Sequence, residues 1–267
     1  MRVGLAAIGL LALLLPPSHA RAELLQDVRA RGTLKVGMVE SPPWMSRDAG
    51  GQPVGLEVEF VKRLAADLGV QLDVVTAPVD ALMDRLAAHE LDIAAANLAI
   101  TPKRALQVAF TQPYGISDIR PVVRRDKFDE DVTPEALNAA TVTIAVVTGT
   151  AGADTAAEQF AQAKIEPFPT QAAAEQALLA GTVTALVGST PFPELLSENN
   201  PDLLMIAGDQ PLRTTVEAFA VPQGEPTYLT FLNNWIDAVT AEGFIDATRQ
   251  RWFATIAPPA AVNPPAP

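Results

Sequence analysis

The 267-residue chain contains no cysteine, two histidines, two tyrosines and three tryptophans. Without cysteine there is neither a disulfide framework nor a thiolate metal site, so apolar packing alone must hold the fold. The histidines are His19 and His89, and His19 sits in an N-terminal apolar segment. A multi-histidine zinc centre is therefore excluded, and a serine-histidine-aspartate triad would rest on His89 alone. Two phenols, Tyr114 and Tyr228, leave little for a tyrosine-based iron site. Basic residues are scarce too: 19 Lys and Arg face 31 Asp and Glu, for a net charge of −12. Nucleic acid is a poor partner for such a chain, because affinity for a phosphate backbone is drawn from Lys and Arg.

A long apolar run is also lacking. Val3 to Leu15 covers 13 residues, against roughly 20 for a membrane-spanning helix. Arg2 precedes this run, Pro16-Pro17 follows it, and Ala20-Arg21-Ala22 offers a small-x-small cleavage site. The pattern predicts an export signal over residues 1–22, a mature chain starting at Glu23 and a soluble periplasmic product. No cysteine follows the run to carry a lipid. Loss of Arg2 and Arg21 would leave 17 bases against 31 acids, a net charge of −14. What remains is long enough for one large or two modest domains.

Apolar periodicity alternates between the two secondary-structure types. Strands are expected over 34–39, 72–76 and 93–96, and helices over 56–68 and 80–88. A second series comprises strands over 142–147, 165–168 and 185–187 with helices over 151–163 and 172–180. Helices over 226–239 and 244–253 close the chain. Such alternation predicts α/β architecture with parallel sheet in two lobes. Arg85 to Asn97 and Ala177 to Ser189 share a layout of helix end, turn, apolar strand and polar terminus, which makes Asn97 and Ser189 equivalent strand ends. Ligands of open α/β sheets sit beyond the carboxyl ends of strands, so these two residues should face one another across a cleft. The tail APPAAVNPPAP, residues 257–267, cannot build a core and is expected to be disordered.

The segment NLAITPKRALQVAFTQPY, Asn97 to Tyr114, passes from an apolar strand through Thr101-Pro102 into a short helical turn bearing Arg104. A guanidinium is always charged and presents a planar fork that matches a carboxylate, so Arg104 is a candidate clamp; a surface ion pair is the alternative. Thr148 to Asp154 (TGTAGAD) follows a β-branched strand and opens a helix, a setting in which amides converge on an anion. It lacks a P-loop lysine and dinucleotide spacing. Glu57 and Glu59 read as first-turn acids opposing a helix dipole, and His89 reads as a helix cap.

Together with Gly32 to Gly37 (GTLKVG), Pro42-Pro43-Trp44, Gly55 to Glu59 (GLEVE) and Arg251-Trp252-Phe253, this segment resembles the type-2 periplasmic solute-binding proteins, family 3, which serve polar amino-acid uptake. The resemblance implies two Rossmann-like lobes joined by crossover strands near Gly115–Pro121 and Leu212–Phe219. Residues 23–116 and 216–256 would form the first lobe and 117–215 the second. It further implies a monomer without cofactor or metal, capturing a small carboxylate-bearing solute by lobe closure and delivering it to a membrane ABC permease. By that resemblance the solute would dock on Arg104, the Ala99 amide and Asn97, and the second lobe would close with Thr150, the Ala151 amide and Ser189.

Relatives usually place an acid at the Ser189 position to neutralise the ligand ammonium. An ammonium enclosed without a counter-charge loses several kcal/mol, more than the roughly 1.5–3 kcal/mol a charge-assisted hydroxyl bond returns. Either another acid serves, with Glu40 the first candidate and Asp80 the second, or the solute lacks an α-amine. Trp44 is the candidate apolar wall. Two other readings stay open: a periplasmic dehydratase on the same fold, with Glu40 or Asp154 as acid, and a sensory or accessory binding subunit.

Overall fold

The computed structural model describes residues 23–256. The expected export signal and the Pro/Ala tail lie outside the described residues.

The chain opens with α1 (Leu24–Arg31) and β1 (Thr33–Met38), then a small hairpin of β2 (Ser46–Arg47) and β3 (Pro53–Val54). There follow α2 (Leu56–Leu68), β4 (Gln71–Thr76), α3 (Val79–Ala87), β5 (Ile93–Ala94), the single turn α4 (Pro102–Ala105) and β6 (Ala109–Phe110). Helix α2 has the bounds expected from its periodicity. It starts behind Gly55, whose φ is 143° and where a Cβ would lie 2.2 Å from the Trp44 carbonyl oxygen; only glycine allows that approach. It stops at Gly69, in the left-handed conformation common at helix ends. His89 follows α3 with φ 57°, and its amide donates to the Leu86 carbonyl at 2.9 Å, so it caps through its backbone.

A long strand, β7 (Gly115–Arg124), then begins a second series: β8 (Thr143–Val147), α5 (Ala151–Gln159), β9 (Lys164–Phe168), α6 (Gln171–Ala180), β10 (Ala185–Ser189), α7 (Phe192–Asn199), β11 (Leu204–Ile206) and β12 (Arg213–Glu217). Strand β13 (Ala220–Val221) and helices α8 (Pro226–Ala241) and α9 (Phe244–Ile256) complete it.

Two larger sheets result. The first has the order β4-β1-β5-β13-β6, with β1 parallel to β4 and β5; the second runs β11-β7-β10-β8-β9, with β12 also on β7. Strand β13 returns to the first sheet, antiparallel to β5 and β6, and brings α8 and α9 back with it. The first core packs Leu34, Val36 and Met38 of β1 against Phe60, Leu64, Tyr228, Leu232 and Ile236. Each such fully buried side chain contributes roughly 1.5–3 kcal/mol relative to exposure. In the second lobe Ile119, Ile144, Val146 and Val187 pack together on one side of the sheet, and Val122, Leu178, Leu186 and Leu204 on the other.

The crossover segments differ from a simple linker. Gly115–Ile119 and Arg213–Glu217 pair as an antiparallel ribbon that extends the second sheet. Pro121 was expected to end the crossing, yet β7 continues through it. Its carbonyl accepts from Ala207, on the side where the outer neighbour changes from β12 to β11, so its missing N–H falls in a gap of the ladder.

Candidate functional site

A cavity of about 350 Å³ lies between the two sheets, within the usual size range of small-molecule sites. All eight residues singled out from the sequence line it: Glu40, Trp44, Asn97, Ala99 and Arg104 from the first lobe, Thr150, Ala151 and Ser189 from the second. Asn97 and Ser189 both reach it, as expected of equivalent strand ends. Asp80 and Asp154 do not line it. Val79, Leu98, Val187 and Phe192 supply apolar wall. Among the described residues lining the cavity, Arg104 is the one base and Glu40 the one acid, and Glu40 is exposed.

Arg104 is placed by local chemistry. Thr101 caps α4, its hydroxyl accepting from the Arg104 amide at 3.3 Å, and Pro102 occupies the first turn, where its missing N–H costs nothing. The side chain is then carried inward and the residue is only 8% exposed, which rules out the surface ion pair. Nη1 donates to the Ala99 carbonyl at 2.6 Å and Nη2 to the Gly149 carbonyl, in the opposite lobe, at 2.8 Å. Burial lowers its pKa, opposed by the nearby charges of Asp154 and Asp80; a guanidinium still keeps its proton. Two of five N–H donors are engaged, leaving fork capacity toward the cavity.

Asn97 occupies a left-handed turn, φ 48°, at the exit of β5. Its amide donates to both carboxylate oxygens of Glu57, at 3.0 and 2.9 Å. Glu57 is the first-turn acid expected, but a fully buried one, also accepting from the Tyr114 hydroxyl. Burial pushes its pKa up to about 7, although the Tyr114 and Asn97 hydrogen bonds pull the other way. Its buried phase was visible in the sequence: Glu57, Phe60, Val61 and Leu64 fall at the i, i+3, i+4, i+7 spacing of one helix face. Glu59 points out, accepting from Trp252 Nε1 at 2.6 Å and pairing with Arg251.

Across the cleft, Thr150 caps α5, its hydroxyl accepting from the Ala153 amide at 3.2 Å and donating to the Val147 carbonyl at 2.8 Å. That hydroxyl is committed to the turn, so the amides of the first helical turn are the anion donors this loop offers. Gly149 has φ 75°, and a Cβ there would lie 2.9 Å from an Asp80 carboxylate oxygen of the other lobe. Ser41 donates to Gln171 Oε1 at 2.7 Å, a second polar contact between lobes that periodicity could not reveal. Two polar atoms of cavity residues, Trp44 Nε1 and Asn97 Oδ1, are buried without a hydrogen-bond partner. Among the described residues no cluster of acidic, histidine or cysteine side chains could hold a metal, and no helix is long and apolar enough to cross a membrane.

A sequence model of bacterial extracellular solute-binding proteins, family 3, matches residues 34–255. The chain belongs to this family. Among its relatives, the L-cystine-binding protein TcyJ of Escherichia coli (strain K12) is 26% identical over 253 residues, 94% of each chain. The ancestral amino acid-binding protein AncCDT-1, a precursor of cyclohexadienyl dehydratase, superimposes with a TM-score of 0.78 at 29% identity, covering 87% of this chain and all of the other. The lysine complex of a Wolinella succinogenes protein, assigned as the binding component of an ABC transporter, gives a TM-score of 0.78 at 25% identity, with 84% and 96% covered. The type-2 two-lobed α/β fold of this family 3 solute-binding protein is therefore common to proteins that hold amino acids, and the relatives named are binding proteins rather than enzymes.

Proposed function

We propose that this solute-binding protein captures a small carboxylate-bearing solute, an amino acid or an amino-acid-like organic acid, by closure of its two lobes, and delivers it to a membrane ABC permease. The observation that carries the reading is Arg104, a buried guanidinium at a cavity lined from both lobes, with donors to spare. In this reading its fork takes the carboxylate from the first lobe, with the Ala99 amide and Asn97, while the Thr150-Ala151 turn contributes amides from the second. Trp44 supplies apolar wall, and Ser189 and Glu40 meet the opposite end of the solute.

Closure is a shift in an open-closed equilibrium, driven by contacts made only when the lobes meet. Arg104 to the Gly149 carbonyl and Ser41 to Gln171 are two such contacts. We assign residues 23–116 and 216–256 to one lobe and 117–215 to the other, and read the protein as a periplasmic monomer exported by residues 1–22. The permease partner is carried over from the description of the Wolinella succinogenes relative and belongs to the proposal.

The test is a thermal-shift screen of amino acids beside their deaminated analogues, repeated on Arg104→Ala. A carboxylate that stabilises the wild type and not the variant supports the reading. Equal stabilisation of both removes Arg104 from the site, and turnover of a cyclic hydroxy acid by pure protein would favour the dehydratase chemistry instead.

A further inference from the structure

Behind the cavity lies a buried polar cluster that solute contact does not explain. Glu57, fully buried at the start of α2, joins three segments: its own helix, the Asn97 turn after β5 through the Asn97 amide, and the residue just before β7 through the Tyr114 hydroxyl. The Tyr114 amide in turn donates to the Glu217 carbonyl at 2.9 Å, and Ala99 bridges the same residue. Glu217 is itself fully buried, with its carboxylate held by Ser117 and by Arg249 at 2.7 Å. Two residues beyond the Glu57-bound amide, the Ala99 carbonyl accepts from Arg104. A continuous set of bonds therefore runs from Glu57 to the clamp.

Asparagine enters the left-handed region more readily than other non-glycine residues, so the turn itself needs little help, but its amide must find an acceptor once buried. At Asn97 that acceptor is the Glu57 carboxylate, which offers both oxygens to one N–H. A protonated acid must turn one of those oxygens into a donor, and of the two groups bonded to the carboxylate the Asn97 amide cannot accept while the Tyr114 oxygen can.

We propose that Glu57 is a positioning residue for solute capture: its ionised carboxylate fixes the Asn97 turn, and with it the Ala99 carbonyl that holds Arg104, so affinity depends on the charge state of Glu57. The titratable and charged groups facing it are the Tyr114 phenol just before β7, Glu217 on β12 and Arg249 on α9. Burial and Glu217 hold the proton on Glu57, while the Tyr114 and Asn97 bonds and Arg249 draw it off. The balance falls near neutrality, where an extracytoplasmic protein meets the pH of its surroundings. The proposal rests on the reading of this cavity as the capture site.

The experiment uses the full chain labelled with 15N-asparagine and follows the Asn97 amide from pH 5 to 9. Affinities for L-lysine and L-cystine are measured by calorimetry at pH 5.5 and 8. The Asn97 amide should titrate with a midpoint near 7 in the wild type and stay flat in Glu57→Gln. Probe affinity should fall on the order of tenfold at the lower pH in the wild type and hold steady in the variant. Tyr114→Phe removes a bond that lowers the Glu57 pKa, so its midpoint should move upward; this variant decides the matter if Glu57→Gln does not fold. An Asn97 amide that does not titrate, one that titrates equally in Glu57→Gln, or a midpoint unmoved in Tyr114→Phe overturns the proposal. A probe that binds equally at pH 5.5 and 8 while Asn97 titrates also overturns it; if neither probe binds, the same comparison is made with the solute found in the thermal-shift screen, and a screen without any hit sinks the capture reading rather than the Glu57–Asn97 linkage.

Discussion

Replacing Glu57 by Gln should make the protein more stable above neutrality. The carboxyl is fully buried and its pKa rises from the ordinary 4.5 to about 7, so the folded state holds a proton that the unfolded state releases between those values. The sign follows from linkage: where the native state binds more protons than the unfolded state, stability falls as pH rises. The contribution of Glu57 is fully present below about pH 4.5 and is lost as pH climbs through about 7. The rise from 4.5 to about 7 amounts to about 3.5 kcal/mol, a large fraction of the stability of an ordinary domain. Because Glu57 is fully buried, solvent screening takes nothing from this figure. Exposed carboxylates such as Asp126, whose pKa its Arg124 partner lowers, act in the opposite sense at lower pH; the difference between wild type and variant isolates Glu57. Urea unfolding at pH 5, 6, 7 and 8 is the assay. The two proteins should lie close together at pH 5 and diverge to about 2–3 kcal/mol at pH 8, with Glu57→Gln the more stable. Parallel stability profiles, with a difference that does not change between pH 5 and 8, would show that the Glu57 carboxyl keeps its ordinary pKa in the folded state and that its bonds to Asn97 and Tyr114 offset burial.

Arg104→Ala should weaken a carboxylate ligand by about 2–3 kcal/mol, roughly 30- to 150-fold in a calorimetric titration, since charge-assisted bonds are lost; unchanged affinity would place the carboxylate elsewhere. Ser189→Asp should raise affinity for ordinary α-amino acids and leave their deaminated analogues unimproved, because it adds a counter-charge only an ammonium can use; no gain with the fold intact would mean that another acid already serves or that Ser189 does not face the ammonium. Gly149→Ala should cost about 1–2 kcal/mol in thermal unfolding, as the residue is left-handed and its new methyl meets Asp80. An unchanged melting temperature there would show that Asp80 swings away and the turn relaxes.

Much of the architecture was written in local periodicity. Leu56 to Leu68 carries an apolar helical stripe between two glycines, and those glycines end the helix at the expected residues. The strands at 33–38, 71–76, 143–147 and 164–168 were legible as short apolar or alternating runs between turns. Elements whose existence depends on a distant partner were less legible. Strand β13 is two residues long and is a strand only because β5 and β6 lie beside it; α7 was hidden among prolines; α5 stops at Gln159, four residues short of its apolar pattern. Strand β7 runs through a proline because the neighbouring ladder happens to break there.

The cavity divides along the same line. That Arg104 sits behind a Thr-Pro cap, that Asn97 and Ser189 end corresponding strands, and that Thr150 opens a helix are facts of a few adjacent residues, and they determined which groups could meet a solute. That Gly149 offers its carbonyl to Arg104, that Ser41 meets Gln171 and that Glu57 is sealed beneath Asn97 and Tyr114 are decided by contacts between segments separated by 40 to 130 positions. Short-range pattern dictates a side chain's direction on its own element. Whether a carboxyl there is hydrated or buried, and hence whether it carries charge, depends on what the rest of the chain packs over it.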